Sequence, residues 1–199
     1  MFPRNRPVGR MVSALLGLVA IVSSTTMRPA VCVPLERAAT AVVYASTPVV
    51  YVTAPPGVIA AARFIARRYR VPVAQSCQIA EAVFRISEEH RINPYLVLAV
   101  IAVESSFRPH VVNPYGDAYG LMQIALRVHA RRVAAVGGRQ RLFLVAPNIR
   151  IGVALLAQYG AGVRSGIRHA LWRYSGGEYG YARKVLQLSA LLQRNGAHL

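Results

Sequence analysis

Apolar side chains recur at helical spacing over most of the chain after its first fifty-odd residues. The spacing of three or four positions covers Val58 to Arg70, Ser76 to His90 and Tyr181 to Leu192. Such spacing predicts amphipathic helices that each turn one face toward a core. The apolar face predicted for the last helix consists of Val185, Leu188, Leu191 and Leu192.

A helix that is apolar on all sides is predicted after Asn93-Pro94. Asparagine accepts a hydrogen bond from the first helical turn, and proline fits the first helical position because its missing N–H has no partner there. Residues 96–103 are all apolar, and the run ends at Glu104 before Pro109. A helix without a polar face belongs in the middle of a domain.

The remaining segments also favour helices. Leu121 to Val136 has helical spacing, Asn148 is placed to cap a helix through Tyr159, and Ile167 to Tyr174 forms a short helix before a Ser-Gly-Gly turn. We find no convincing strand pattern and no internal repeat. The predicted fold class is therefore mainly α.

The front of the chain is typical of an export signal. Arg4, Arg6 and Arg10 precede an apolar core from Met11 to Val22, shorter than the roughly 20 residues of a membrane span. Residues 1–30 are interpreted as a signal peptide or an N-terminal anchor, and lipidation of Cys32 is a further alternative. The predicted location is the periplasm, either free or attached to the inner membrane.

A linker is predicted at residues 31–57, and a folded domain at 58–199. Pro48, Pro55 and Pro56 interrupt a stretch rich in Ala, Val and Thr, which favours an extended linker over short strands. A disulfide between Cys32 and Cys77 is permitted in an oxidising compartment, and Cys77 is otherwise a small buried residue.

The net charge of +17 comes from 24 basic and seven acidic residues. Such an excess suggests an anionic partner, and the densest basic group is Arg63, Arg67, Arg68 and Arg70. The bases are otherwise scattered, and export would remove the protein from most DNA and RNA, so no nucleic-acid partner is predicted. The five histidines lack ligand spacing, and neither a metal nor another cofactor is predicted.

Glu104 is the most informative residue. A carboxylate at the end of a buried helix is unfavourable unless something compensates for it, which points to a functional role. Apolar surroundings favour its neutral form, the state that a general acid needs.

Four motifs resemble the catalytic domain of the soluble lytic transglycosylases (family 1), which has a goose-type-lysozyme-like α fold. The resemblance covers roughly residues 76 to 192, and it departs from the family at Ser175, where asparagine is usual, and at 125–127. In order, the motifs are Glu104-Ser105, Pro114-x-Gly116 leading into Gly120-Leu-Met-Gln-Ile124, Asn148-Ile149 with Gly152, and Ala170-Leu-Trp-Arg-Tyr-Ser-Gly-Gly177 followed by Tyr181.

The resemblance implies cleavage of the β-1,4 bond between N-acetylmuramic acid and N-acetylglucosamine in peptidoglycan strands, without water, to leave a 1,6-anhydro end. It implies Glu104 as the catalytic residue. A single carboxylate suffices for this chemistry because the C6 hydroxyl of the sugar is the nucleophile, and the same group can donate and then accept a proton. The substrate-binding residues implied are Ser105, Met122, Gln123, Tyr174 and Tyr181.

Other acids and other activities are weighed against this prediction. Asp117 and Glu178 are interpreted as solvated loop charges, and Glu81, Glu88 and Glu89 as an exposed helix face. Two alternatives stay open. One is a hydrolase of the same glycan with a second carboxylate such as Asp117, and the other is a non-catalytic wall-binding protein.

Overall fold

The computed structural model describes residues 54–162 and 166–197, and within these it contains seven α-helices and one small β-hairpin. The predicted signal at 1–30, the part of the predicted linker at 31–53 and Cys32 lie outside the described residues, whereas Pro56 and Gly57 at the end of that linker already belong to the first helix. The helices are α1 (Pro56–Tyr69), α2 (Val73–Glu89), α3 (Pro94–Ser105), α4 (Ala130–Ala135), α5 (Val145–Gln158), α6 (Ile167–Tyr174) and α7 (Tyr181–Ala197). The hairpin pairs β1 (Ala118–Tyr119) with β2 (Ile124–Ala125), and a 3₁₀ helix spans Arg139–Phe143.

Helix α3 is the centre of the fold, as its sequence predicts. Residues 96–102 are all buried, and the helix packs against α2 on one side and α7 on the other. The predicted cap is also present, since Asn93 Oδ1 accepts a hydrogen bond from the Tyr95 N–H at 2.9 Å. The mainly α fold is thus confirmed, and it is organised around the helix that carries Glu104.

The end of α3 is fixed by a buried aromatic ring. Ser106 and Phe107 both adopt left-handed backbone angles, with φ of 52° and 61°, which are unfavourable for residues with a Cβ. The Phe107 ring is completely buried and packs edge-on against Tyr69 of α1, with 4.8 Å between ring centroids. Burial of this ring compensates for the backbone strain and holds the last turn of α3 in place.

The prediction of a helix from Leu121 to Val136 was wrong, as was the absence of strands. Only Ala130–Ala135 is helical, and residues 118–125 form the hairpin. Leu121, Met122 and Ile124 are buried in the hairpin turn and strand instead of on a helix face. Their apolar spacing reflects burial in the core, which periodicity cannot distinguish from an amphipathic helix in so short a stretch.

Asn148 does not cap a helix. Helix α5 begins three residues earlier, at Val145, and Asn148 is fully buried inside its first turn. Leu191 was also misassigned, because its side chain is 41% exposed whereas Val185 and Leu192 are buried.

Glu81 is a further correction to the predicted exposed face of α2. It is half-buried, its Oε1 atom has no hydrogen-bond partner among the described residues, and burial raises the pKa of its carboxyl. Cys77 of the same helix is buried. No helix among the described residues has both the length and the apolarity to cross a membrane.

Candidate active site

Glu104 lies in the last turn of α3 and lines a pocket with residues from the hairpin and from α6 and α7. Its Oε1 accepts a hydrogen bond of 2.5 Å from the hydroxyl of Tyr181, the first residue of α7. Burial raises the pKa of the Glu104 carboxyl. The Tyr181 hydrogen bond and the Lys184 charge oppose this rise, and the Glu178 charge adds to it. The neutral acid is therefore favoured to a higher pH than in water.

Two tyrosines line the same pocket as this carboxyl, and both keep a hydroxyl proton that can be donated. Burial and the nearby Glu104 charge raise the pKa of both Tyr174 and Tyr181, so both hydroxyls keep their protons. The Tyr174 hydroxyl donates to the main-chain oxygen of Met122 at 2.8 Å. Tyr174 thus ties the end of α6 to the hairpin turn, whereas Tyr181 contacts the carboxyl itself.

The turn between β1 and β2 presents Gln123 to the pocket. Gln123 has a left-handed φ of 47°, and its Nε2 donates to the main-chain oxygens of Gly120 at 2.8 Å and Val111 at 3.1 Å. Both amide protons are used by these bonds, so Oε1 is the atom left to accept a hydrogen bond from a ligand. A glutamine side chain carries both donors and an acceptor, and this fold leaves only the acceptor free for a ligand.

Asn148 holds this turn from below. Its Nδ2 donates to the main-chain oxygens of Tyr119 at 2.9 Å and Leu142 at 2.8 Å, and its Oδ1 accepts from the Met122 N–H at 2.8 Å. Gly120 has to be glycine because φ is +77° and a Cβ would lie 2.1 Å from the Leu142 oxygen. The motif that contains Asn148 therefore supports the motif that contains Gly120 and Gln123, and Asn148 itself does not line the pocket.

Gly152 of α5 has a related function under the same turn. A Cβ at Gly152 would lie 2.3 Å from Met122 Sδ, so only glycine lets α5 pack against the fully buried Met122 side chain. Met122 consequently lies beneath the pocket and does not line it.

The structure brings together four of the six site residues predicted from the sequence. Glu104, Gln123, Tyr174 and Tyr181 line one pocket. Ser105 does not reach it, because its side chain is buried and its hydroxyl donates to the Ile101 oxygen of the same helix at 3.1 Å. Ser105 and Met122 thus lie behind the site.

Glu178, which the sequence favoured as a solvated loop charge, lines the pocket and is exposed. Its N–H donates to Ser175 Oγ at 3.1 Å, so the residue that departs from the family pattern fixes the turn that carries it. Asp117, in contrast, accepts from Asn113 Nδ2 at 2.8 Å, lies 3.5 Å from Arg127, and is absent from the lining. The second carboxylate of this pocket is Glu178.

Sequence reasoning missed Asn113 and Ala118 as lining residues. Asn113 Oδ1 accepts from the N–H groups of Asp117 and Ala118 at 2.9 and 3.1 Å, which closes the loop before β1. The Asn-Pro pair at 113–114 is a turn signal that could have identified this residue as structural. Among the described residues, no three His, Cys, Asp or Glu side chains are grouped to hold a metal ion.

Sequence matches to known proteins identify the family of this chain. The family model of the transglycosylase SLT domain matches residues 81–193. The chain is similar to the membrane-bound lytic murein transglycosylase C of Actinobacillus pleuropneumoniae serotype 5b, with 34% identity over 86 residues, 40% of this chain and 23% of the relative. The proteins of the same name from Sodalis glossinidius and Salmonella arizonae are 35% and 34% identical, over 37% and 42% of this chain and 22% and 24% of the relatives.

These matches span about a quarter of the relatives' own length. No solved structure matched significantly.

Proposed function

Because the chain belongs to the transglycosylase SLT domain family, we propose that it is a peptidoglycan lytic transglycosylase. It cleaves the β-1,4 bond between N-acetylmuramic acid and N-acetylglucosamine and leaves a 1,6-anhydro end. One observation carries the proposal: Glu104, whose pKa is raised by burial, stands in a pocket beside a tyrosine that donates to it.

Glu104 performs two proton transfers in this reaction. The neutral acid gives its proton to the glycosidic oxygen as the bond from C1 to that oxygen breaks, and the acetamido group of the substrate stabilises the positive charge on C1. The C6 hydroxyl of the same sugar then attacks C1, and its proton passes to the Glu104 carboxylate. The 1,6-anhydro ring closes without water, and the Glu104 carboxyl is again protonated and neutral.

Tyr181 stabilises the intermediate state of Glu104. Between the two transfers Glu104 carries a negative charge, and the Tyr181 hydroxyl already donates to its Oε1. A hydrogen bond to an ionised group is about twice as strong as one between neutral groups. Tyr181 therefore favours departure of the proton while burial favours its retention, and the two effects together suit a group that acts as acid and then as base.

Gln123 positions the sugar. Its free acceptor, Oε1, matches the N–H of an N-acetyl group, because both Nε2 protons are held by main-chain oxygens. Tyr174 positions this turn through its bond to Met122. Ser105 and Met122 act by packing beneath the site.

Hydrolysis is the second candidate, and Glu178 is the observation that favours it. A second carboxylate in the same pocket could activate a water molecule, as in glycosidases that use two acids. The relatives are named lytic transglycosylases, and this supports the non-hydrolytic reaction for the present chain.

The cellular location follows as part of the proposal. Residues 1–30 direct export to the periplasm, and residues 31–57 link this segment to the catalytic domain at 58–199. The relatives are named membrane-bound, which supports attachment of this chain to a membrane, and we propose the inner membrane and the N-terminal segment for this attachment.

The test is digestion of purified glycan strands by the purified protein, followed by mass analysis of the new ends. A 1,6-anhydro end is lighter than a reducing end by one water molecule, and we expect anhydro ends only. The Glu104→Gln variant, purified identically, controls for contaminating enzymes. Reducing ends alone would replace the proposal with hydrolysis, and the absence of any cleavage by the folded protein would overturn both candidates.

A further inference from the structure

Two tyrosine side chains project into solvent with almost no contact to the rest of the protein. Tyr115 is 86% exposed and Tyr179 is 94% exposed, the highest values among the large apolar and aromatic side chains that the structure describes as exposed. Neither makes a side-chain hydrogen bond or a ring contact within the described residues. Single exposed hydrophobic side chains are common on protein surfaces and carry no message by themselves. What these two tyrosines share is their place in the chain, beside residues that line one pocket.

Both tyrosines belong to segments that form the pocket. Tyr115 lies in the loop between Asn113 and Ala118, and Tyr179 directly follows Glu178; Asn113, Ala118 and Glu178 all line the pocket. The two residues come from different parts of the chain, sixty-four positions apart, and the fold brings both segments to the site of Glu104.

The segments that carry these rings are held by hydrogen bonds. The Tyr115 loop is closed by the Asn113 side chain, which accepts from two N–H groups, and by the Gly116 N–H, which donates to the Asn113 oxygen at 2.9 Å. The Tyr179 turn is fixed where the Glu178 N–H meets Ser175 Oγ. A tyrosine on a fixed turn loses little conformational entropy when it contacts a ligand.

We propose that Tyr115 and Tyr179 are stacking platforms that bind sugar rings of the glycan strand beyond the sugars held at Glu104. The inference rests on the proposed function, because that function supplies the polysaccharide substrate. Its physical basis is the negative face of an aromatic ring, which attracts the polarised C–H groups on the face of a pyranose ring. Such contacts extend recognition over several sugars and favour long strands over short fragments.

The chemistry around the two tyrosines favours a sugar over a lipid. Tyr115 is two positions from Asn113 and Tyr179 is one position from Glu178 in the sequence, and both of these polar residues line the pocket. A ligand that covers both the ring and its polar neighbour has to present C–H groups and hydroxyl groups together. A saccharide does so on every residue, whereas a lipid chain would remove Glu178 from water without a partner.

Binding is measured in the full-length Glu104→Gln protein, so that no bond is cleaved. The probes are the β-1,4-linked N-acetylglucosamine dimer and hexamer, titrated calorimetrically. We expect Tyr115→Ala and Tyr179→Ala each to weaken hexamer binding about tenfold, as loss of one aromatic stacking contact does elsewhere. Dimer binding should change less than twofold, because the dimer does not extend to the platforms.

Two control variants separate stacking from other effects. Tyr115→Phe and Tyr179→Phe keep the ring and should bind the hexamer like the parent protein. Val73→Ala removes a 49% exposed apolar side chain from α2, a helix that contributes nothing to the pocket lining, and should have no effect. Unchanged melting temperatures would verify that none of the variants unfolds.

Several outcomes would overturn the inference. They are unchanged hexamer affinity in both alanine variants, equal losses for dimer and hexamer, or failure of the parent to bind the hexamer. A loss of self-association in sedimentation with unchanged glycan binding would assign the rings to a protein interface instead. Since binding is measured without turnover, a protein that binds the hexamer through these rings but produces reducing ends would overturn the proposed reaction alone.

Discussion

Helices α2 and α3 each carry a glutamate at or near the C-terminal end, and the two side chains have opposite electrostatic fates. Glu89, the last residue of α2, is exposed, lies 3.2 Å from Arg85 and 2.6 Å from Arg150 of α5, and has a lowered pKa because of the Arg150 hydrogen bond. Glu104, one residue before the end of α3, is largely buried and has a raised pKa.

The difference shows that the surroundings of a carboxyl group set its charge state. The C-terminal end of a helix disfavours negative charge, so both glutamates need compensation. Glu89 is compensated by cations and stays ionised, whereas burial keeps Glu104 neutral to a higher pH. Glu89 therefore links α2 to α5 at the surface through Arg150, whereas Glu104 has the neutral state that its proposed role as a proton donor requires.

The largest expected effect is on activity. Glu104→Gln should reduce kcat/KM on peptidoglycan at least about a hundredfold, because an amide cannot donate the proton. Glu89→Gln should stay within about twofold of the wild type. Release of soluble fragments from purified peptidoglycan measures both. Equal losses of activity in the two variants would contradict the difference between the two glutamates, and near-normal activity of Glu104→Gln would show that Glu104 is not the catalytic acid.

The next largest effect is expected on stability, from the buried hydrogen bonds that hold the turn under the pocket. The exposed ion pair at Glu89 has no such buried support. Asn148→Ala removes three buried hydrogen bonds, those to the Met122 N–H and to the main-chain oxygens of Tyr119 and Leu142, which should reduce the free energy of unfolding by about 3 kcal/mol. The melting temperature should fall by about 6–12 °C.

The matched control is Gln158→Ala on the same helix, since the Gln158 amide bonds only to Arg132 at the surface. It should change stability by less than about 0.5 kcal/mol. Thermal unfolding followed by circular dichroism compares the two variants. A similar melting temperature for both would mean that Asn148 is not the support of the turn.

Tyr181→Phe removes the hydrogen bond that Glu104 accepts from the Tyr181 hydroxyl and keeps the aromatic ring. This bond lowers the Glu104 pKa, so its loss should raise that pKa and move the alkaline limb of kcat/KM to higher pH. The carboxylate formed after the first proton transfer also loses a donor, which should reduce kcat about tenfold at neutral pH. A pH profile of both constants tests this, and an alkaline limb that moves to lower pH would contradict it.

The smallest expected effects are the pH-dependent changes in stability of the two glutamate variants, and these changes should have opposite signs. The raised pKa of Glu104 means that the folded state loses stability as pH rises above the unfolded value of about 4.3. Glu104→Gln should therefore raise the melting temperature at pH 7 but not at pH 4, by about 2–4 °C for each kcal/mol recovered.

The Glu89 ion pairs act in the other direction. Their contribution is present above the unfolded pKa and is lost as pH falls through the lowered folded value. Glu89→Gln should reduce stability at pH 7 by about 0.2–1 kcal/mol, as is typical of exposed pairs, and the effect should fade in acid. Melting curves at the two pH values measure both variants, and shifts of the same sign would refute the contrast.

Much of this protein was predictable from local sequence. The cap at Asn93, the apolar run of α3 and its end in Glu104 are encoded by neighbouring residues, as are α6 and the start of α7 at Tyr181. Family motifs identified four side chains that do line the pocket. The hairpin at 118–125 escaped prediction, because its apolar residues are buried by α5 and their spacing resembles a helix.

Contiguous residues suffice to specify the helical class and the central helix that ends in Glu104, and to single out Glu104 as the proposed acid. Tertiary structure alone decided that Asn148 holds a turn, that Gln123 offers an acceptor, and that Glu178 and not Asp117 faces Glu104's pocket. It also lowers the pKa of the Glu89 carboxyl and raises that of the Glu104 carboxyl. Burial and the nearest charges set the state of a carboxyl, and both come from residues that are distant in the chain.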